Sequence, residues 1–194
     1  MDPSQATAQP FHLEEIRSSA PESTLLQARD LLLEYGRFVV AQPGAARFCF
    51  GSLQQEAARL PFSYLEQGGG CLVASVHHQP AGFVAWRTIP ESVVPDAWEL
   101  KRLWVRPLAR GLGLGLALTQ AVLNRALDAG RKAVYLDTAP ASMASAHRIY
   151  LALGFRPCAA YNDNPVEGIV HLVKHLRPVR APGPPIVSTP RFLP

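Results

Sequence analysis

The segment Arg110 to Leu116, RGLGLGL, sets Gly111, Gly113 and Gly115 at every second position ahead of an apolar run with helical spacing. Glycine weakens helices, so three at a helix entrance need a purpose. The first N–H groups of a helix have no partner within it, and the aligned peptide dipoles add partial positive charge there. Glycines let those N–H groups close around an anion without an intervening Cβ. Arg106 and Arg110 add mobile positive charge nearby. The chemistry is that of a phosphate cradle. Tight packing of a helix on a strand explains the glycines equally well, and on this stretch alone both readings stand.

Known phosphate-binding spacings narrow the choice. A Walker A loop needs Lys-Ser/Thr after its last glycine, and Leu116-Ala117 follows Gly115 instead. A dinucleotide fingerprint needs GxGxxG directly after a strand. Gly111 and Gly113 fit it, but Leu116 stands at the third position, and residues 106–110 intervene before the first glycine. Asp137, near the end of the next strand-like run, is the one feature favouring an NAD-dependent oxidoreductase. His77 and His78 fall in a turn and His147 on the outer part of a helix, which suits solvated residues. His171 and His175 share one strand face, too few ligands for a metal site to be assigned.

The elements that must position these residues follow from periodicity. Phe11 to Ile16 reads as a short strand. Thr24 to Phe38 reads as a helix, with Thr24 and Gln27 as its capping box. A second helix runs from Ser52 to Leu60 and stops at Pro61. Cys71 to Val76 and Ala81 to Thr88 form an antiparallel hairpin around HHQPAG, and Trp98 to Val105 is a third run. The glycine stretch opens a helix ending near Ala129, with Gly130 as its cap. Ala133 to Asp137 is a strand. Met143, Ala146, Ile149, Tyr150 and Leu153 share one face of a helix closed by Gly154. Strands at about Phe155 to Ala160 and Gly168 to Leu176 flank the loop YNDNPVE. Strands grouped ahead of a strand–helix–strand–helix unit indicate a mixed α/β or α+β sheet.

The chain has 194 residues, of which 48% are hydrophobic and 18% charged, enough for one well-buried domain. That domain is placed at residues 11–176, with a loose polar stretch at 1–10 and a proline-rich tail at 177–194. The net charge of +4 comes without a long Lys/Arg block, so nucleic-acid binding is not expected. Three scattered cysteines match no metal spacing and suit reduced thiols in a cytoplasmic protein. The N-terminus lacks the pattern of a signal peptide. No run of about 18 apolar residues exists to span a membrane.

RGLGLG, from Arg110 to Gly115, resembles the R/Q-x-x-G-x-G/A motif of the GNAT acetyltransferase superfamily. Around it, WELKRLWVRPLA is similar to that family's fourth strand and the connection that follows, and AVYLDT to its fifth. SAHRIYLALGF is similar to the signature A-x-x-(L/I)-Y-x-x-x-G-F at Ala146, Ile149, Tyr150, Gly154 and Phe155. Met143 departs from the pattern, since many members carry asparagine there. The stretch YNDNPVEG also resembles a loop of a bacterial subgroup.

The resemblance implies a GNAT-type fold, a mostly antiparallel sheet splayed between two parallel strands and flanked by helices. It implies acetyl-CoA as co-substrate, no metal, and direct transfer to a small-molecule or peptide amine by a monomer or homodimer. The expected cofactor contacts are Arg110, Gly111, Leu112, Gly113, Leu114, Gly115 and Leu116 on the pyrophosphate, with the main chain of Leu103, Trp104 and Val105 on pantetheine. The Leu103 N–H would face the thioester oxygen. Tyr150 matches the family tyrosine that protonates the departing thiolate; without the motif it reads as core. Glu99 matches a position where some members carry a general base. Set among Trp98, Leu100 and Leu103, it is expected to have a raised pKa, with an ion pair to Lys101 or Arg102 as the alternative. Tyr161, Asn162, Asp163 and Asn164 are acceptor-contact candidates, although turn formation also explains them. A GNAT-like module that holds acyl-CoA without turnover is the alternative to an enzyme.

Overall fold

His77 and His78 both adopt left-handed backbone, with φ of 48° and 62°. Paired left-handed residues make a two-residue turn whose twist matches that of the strands it joins. The hairpin of β2 (Gly70–Val76) and β3 (Gln79–Thr88) therefore closes tightly, with Val76 opposite Gln79. Gln79 and Pro80, expected in the turn, belong to the strand. The computed structural model describes residues 11–42, 50–164 and 166–176. The expected loose N-terminus and the proline-rich tail lie outside them.

The hairpin sits inside a seven-stranded sheet of order β1-β2-β3-β4-β5-β7-β6. The remaining strands are β1 (Phe11–Glu15), β4 (Ala97–Val105), β5 (Ala133–Thr138), β6 (Arg156–Pro157) and β7 (Val170–His175). Every neighbouring pair is antiparallel except β4 with β5. That parallel pair is bridged by helix α4 (Leu114–Asp128), as a parallel connection requires. The strand expected at about Phe155 to Ala160 shrinks to two residues, because Pro157 has no N–H with which to extend the ladder.

Strand alternation sorts the core into two layers. Leu72, Val84, Trp86, Leu100, Val134 and Leu136 face Leu118, Val122 and Leu123 of α4. Cys71, Val73, Phe83 and Ala85 face Leu31 and Leu32 of α1 (Glu22–Val40) and Leu53 of α2 (Phe50–Ala58). Helix α1 starts two residues earlier than expected. Pro21 is its N-cap and no side chain caps it, so the Thr24–Gln27 capping box does not form. A further short helix, α3 (Phe62–Leu65), follows Pro61, and α5 (Ala144–Ala152) follows β5.

Two irregularities shape the middle of the sheet. Phe83 pairs with Trp104 and Ala85 with Lys101, so β4 carries one extra residue there. Arg102 lies in that bulge with φ of 60°. Bulges re-aim the strand that follows, and Trp104 accordingly joins the α1 layer. In addition, β4 and β5 pair only at Ala97–Ala133, Trp98–Val134 and Glu99–Tyr135. Beyond Glu99 the two strands separate.

Candidate active site

The gap between β4 and β5 opens into a cleft of about 500 Å³. Leu103, Trp104 and Val105 form one wall. On that side they present a strand edge with no partner strand, because β5 has diverged. The N-terminus of α4 forms the end wall with Gly113, Leu114, Gly115 and Leu116. The first turn of the helix is closed by the Ala117 N–H on the Gly113 carbonyl at 3.0 Å. The N–H groups just before it have no acceptor in the helix.

Two of the three glycines answer to this geometry. Gly111 and Gly113 have φ of 84° and 81°, a region that L side chains rarely occupy, and a Cβ on either would meet no atom within 4 Å. They line open cleft. Gly115 differs: a Cβ there would come within 2.9 Å of Ile149 Cδ1 on α5. Packing accounts for Gly115, whereas Gly111 and Gly113 leave open the space that a cradle needs. Arg110 lies over the rings of Trp104 and Phe38, with its Cζ 5.4 and 6.0 Å from their centroids. It pairs with no carboxylate among the described residues, so its charge is available to an anion in the cleft. Arg106, expected to be mobile, is not. It donates to both oxygens of Glu34 and to the Pro80 carbonyl.

A smaller cavity of about 70 Å³ shares Tyr35, Ser142 and Met143 with the cleft, and its other polar lining residues are Gln42, Lys101, Arg102, Asp137, Thr138 and Asn164. Next to it, on the same sheet face, Glu99 is 2% exposed and saturated. Arg87 donates to Oε2 at 2.6 Å, while Lys101, Tyr161 and Asn162 donate to Oε1 at 3.2–3.3 Å. Burial raises its pKa, but the charges of Lys101 and Arg87 outweigh that and hold it below the usual carboxylate range. The raised pKa expected from its apolar sequence neighbours is thus reversed: the alternative of an ion pair with Lys101 holds, Arg102 pairs instead with Glu56, and Arg87 of β3 adds a second pair to Glu99. Tyr150 is 5% exposed and meets Phe155 edge to face at 5.7 Å. Burial raises its pKa, with smaller contributions from Tyr35 and Asp137, so the phenol stays protonated.

A family model described as the acetyltransferase (GNAT) family matches residues 30–155. The chain belongs to the GNAT acetyltransferase family. An uncharacterised N-acetyltransferase of Schizosaccharomyces pombe is 32% identical over 63% of this chain and 74% of its own length. The N-acetylaspartate synthetase of Danio rerio is 28% identical over 75% of this chain, which spans about half (51%) of that relative. Among solved structures, a GNAT phosphinothricin acetyltransferase of Sinorhizobium meliloti, in complex with acetyl-CoA, aligns with a TM-score of 0.66 at 17% identity. That alignment covers 90% of this chain and 96% of the other. The likeness extends to eukaryotes and is not confined to the expected bacterial subgroup.

The GNAT fold removes the dinucleotide reading. Among the described residues only one strand pair is parallel, and a 3-10 turn (Pro107–Ala109) separates β4 from the glycines. Of the site residues expected from the sequence, Leu103, Trp104, Val105, Arg110, Gly111 and Gly113 to Leu116 line the cleft. Leu112 is 43% exposed and outside its lining. Tyr150 packs behind the lining, in the α4–α5 core. Tyr161 and Asn162 hold Glu99, and Asn164 lines the smaller cavity, but Asp163 is exposed and lines a separate hollow with Cys158. Met143 accepts a weak hydrogen bond from the Thr138 hydroxyl at 3.9 Å. His171 bonds Asn162 Oδ1 at 3.0 Å, whereas His175 is exposed.

One cluster has no signal in the sequence. The half-buried Arg102 guanidinium makes two bonds of 3.0–3.1 Å to Glu56, which also accepts from the Tyr64 hydroxyl. This network ties α2 and α3 to the bulge of β4. Its members lie up to 46 residues apart, beyond any helical or strand repeat.

Proposed function

We propose that this protein is an acetyl-CoA-dependent N-acetyltransferase that moves the acetyl group directly to an amine while both substrates are bound. The observation that carries the reading is the pair of left-handed glycines at the α4 N-terminus, open to a cleft beside an unpaired strand edge. The pyrophosphate of acetyl-CoA fits there. The N–H groups of residues 111–116 and the Arg110 guanidinium hold it, and the main chain of Leu103 to Val105 aligns the pantetheine arm. When bound, the thioester supplies an activated acetyl group.

The chain's own groups then do three things. The Leu103 N–H donates to the thioester oxygen as charge grows on it, where a fixed dipole in a water-poor cleft counts most. Tyr150, kept protonated by burial, gives its proton to the departing sulfur, and the proton that the acylated nitrogen releases restores the phenol. Glu99 carries four donors, and the charges of Lys101 and Arg87 hold its pKa low, so it is a poor acceptor of a substrate proton. It positions Lys101, Tyr161 and Asn162, and the reaction draws on the neutral fraction of the amine. The two described thiols favour direct transfer over an acyl-enzyme. Burial pushes Cys71 up to about 12, and Cys158 is raised as well. A thiol nucleophile needs the opposite shift.

Two-substrate steady-state kinetics test the ternary complex. Intersecting double-reciprocal lines are expected; parallel lines, the mark of a covalent acyl-enzyme, would contradict it.

A further inference from the structure

The 70 Å³ cavity has a specific charge arrangement. Glu99 and Tyr135 are the last paired residues of the parallel β4–β5 ladder. Counting two residues on along each strand, Lys101 and Asp137 would be the next neighbours on the same face. In a closed sheet two opposite charges at such positions form a cross-strand pair. Here the strands diverge, and the two groups line the cavity without an ion pair between them; among the described residues Lys101 pairs only with Glu99. We propose that the amine acceptor is a small amino acid whose amino group, reacting in its neutral fraction, faces Asp137 and whose carboxylate faces Lys101.

Both groups have capacity left. One bond to Glu99, at 3.3 Å, leaves two Lys101 ammonium protons, although its side chain is only 16% exposed. Burial, then the charge of Arg102, lowers the Lys101 pKa, so an incoming anion relieves a real cost. Asp137 Oδ2 accepts from Asn162 at 2.8 Å, and no described bond engages Oδ1. Arg102 also borders the cavity with its guanidinium bound to Glu56. Two cations at one side disfavour a polyamine. Size limits the acceptor further. At roughly 10–15 Å³ per enclosed water, the space takes about five to seven waters, the size of glycine or alanine. Tyr35, Ser142 and Met143 are common to cavity and cleft, so an amine here adjoins the donor site.

The inference rests on the cleft being the acetyl-CoA site, and the test separates the two claims. Acetyl-CoA binding is measured directly by calorimetry. Acetyl transfer is then compared for alanine, alanine amide, an alkylamine of equal size, a polyamine and an alanine-initiated peptide. The wild-type protein is expected to favour alanine over alanine amide by roughly 10- to 100-fold in kcat/KM, the range for one charge-assisted contact. Lys101→Met should collapse that ratio toward one, and Lys101→Arg should restore most of it. If alanine and its amide react equally well, or Lys101→Met leaves the ratio intact, the inference falls and acetyl transfer stands. Preference for the peptide or the polyamine overturns it too. Binding of acetyl-CoA with no amine acetylated overturns the enzymatic reading along with it.

Discussion

In the proposed function Tyr150 donates the proton to the sulfur; burial keeps it protonated for that role, although it packs behind the cleft lining. Tyr150→Phe retains the ring that packs on Phe155 and removes only the hydroxyl. Affinity for acetyl-CoA is expected to hold while kcat falls by roughly 10²- to 10⁴-fold, measured under conditions where chemistry limits turnover. Unchanged kcat would return Tyr150 to the core. Glu99 leads to a different expectation. Its pKa is depressed in the folded protein, so its ion pairs contribute stability at neutral pH. That contribution is lost as pH falls below the usual carboxylate range, about pH 4. Its carboxylate does not titrate near neutrality, so the acidic limb of the pH–rate profile should follow the pKa of the acceptor amine. Glu99→Gln should leave that limb in place and lower kcat by less than the roughly 10²-fold that loss of a base costs. A limb that flattens in this variant would restore Glu99 as the base. The sequence supplied Glu99 and, in Lys101, one of its partners, but not the others, because Arg87, Tyr161 and Asn162 reach it across strands and a loop.

At the scale of elements, the glycine turn and the bulge do separate work. Gly113→Val forces a branched residue into left-handed backbone and into the space for pyrophosphate. Calorimetry should show acetyl-CoA binding weakened about 30-fold, roughly 2 kcal/mol, with the fold intact. Gly115→Ala presses on Ile149, a movable side-chain end, so it should lower the melting temperature slightly and spare affinity. The opposite ranking would mean that the glycines serve packing alone. The bulge depends on a distant partner. Glu56→Gln leaves the Arg102 charge buried against a neutral amide, a loss of about 3 kcal/mol. For a chain of this size the melting temperature should fall by about 6 to 12 °C. Local patterns explain why the hairpin, α4, β5 and α5 were readable in the sequence: each has its own periodicity and a glycine, a proline or a polar turn at its end. The bulge at Arg102 and the splay after Glu99 have no such local pattern, because they arise from pairing between strands and from contacts with α2 and α3.

The whole molecule places the 500 Å³ cleft and the adjoining 70 Å³ cavity beside one divergence in a single sheet. The helices pack so that each cavity draws walls from several elements, and ligand binding should therefore stabilise the fold as a unit. Acetyl-CoA at about 100 times its Kd should add roughly 2.7 kcal/mol and raise the melting temperature by about 5 to 10 °C, with NAD and ATP doing much less. Among the described residues no helix is long and apolar enough to cross a membrane. Stabilisation alone, however, does not separate an enzyme from a module that merely holds the donor. The measurement that does is simultaneous detection of free thiol and acetylated amine from acetyl-CoA with a panel of amines. The account predicts that both appear together, one for one, and only when protein, donor and acceptor are all present. Tight binding of acetyl-CoA with neither product formed would contradict it.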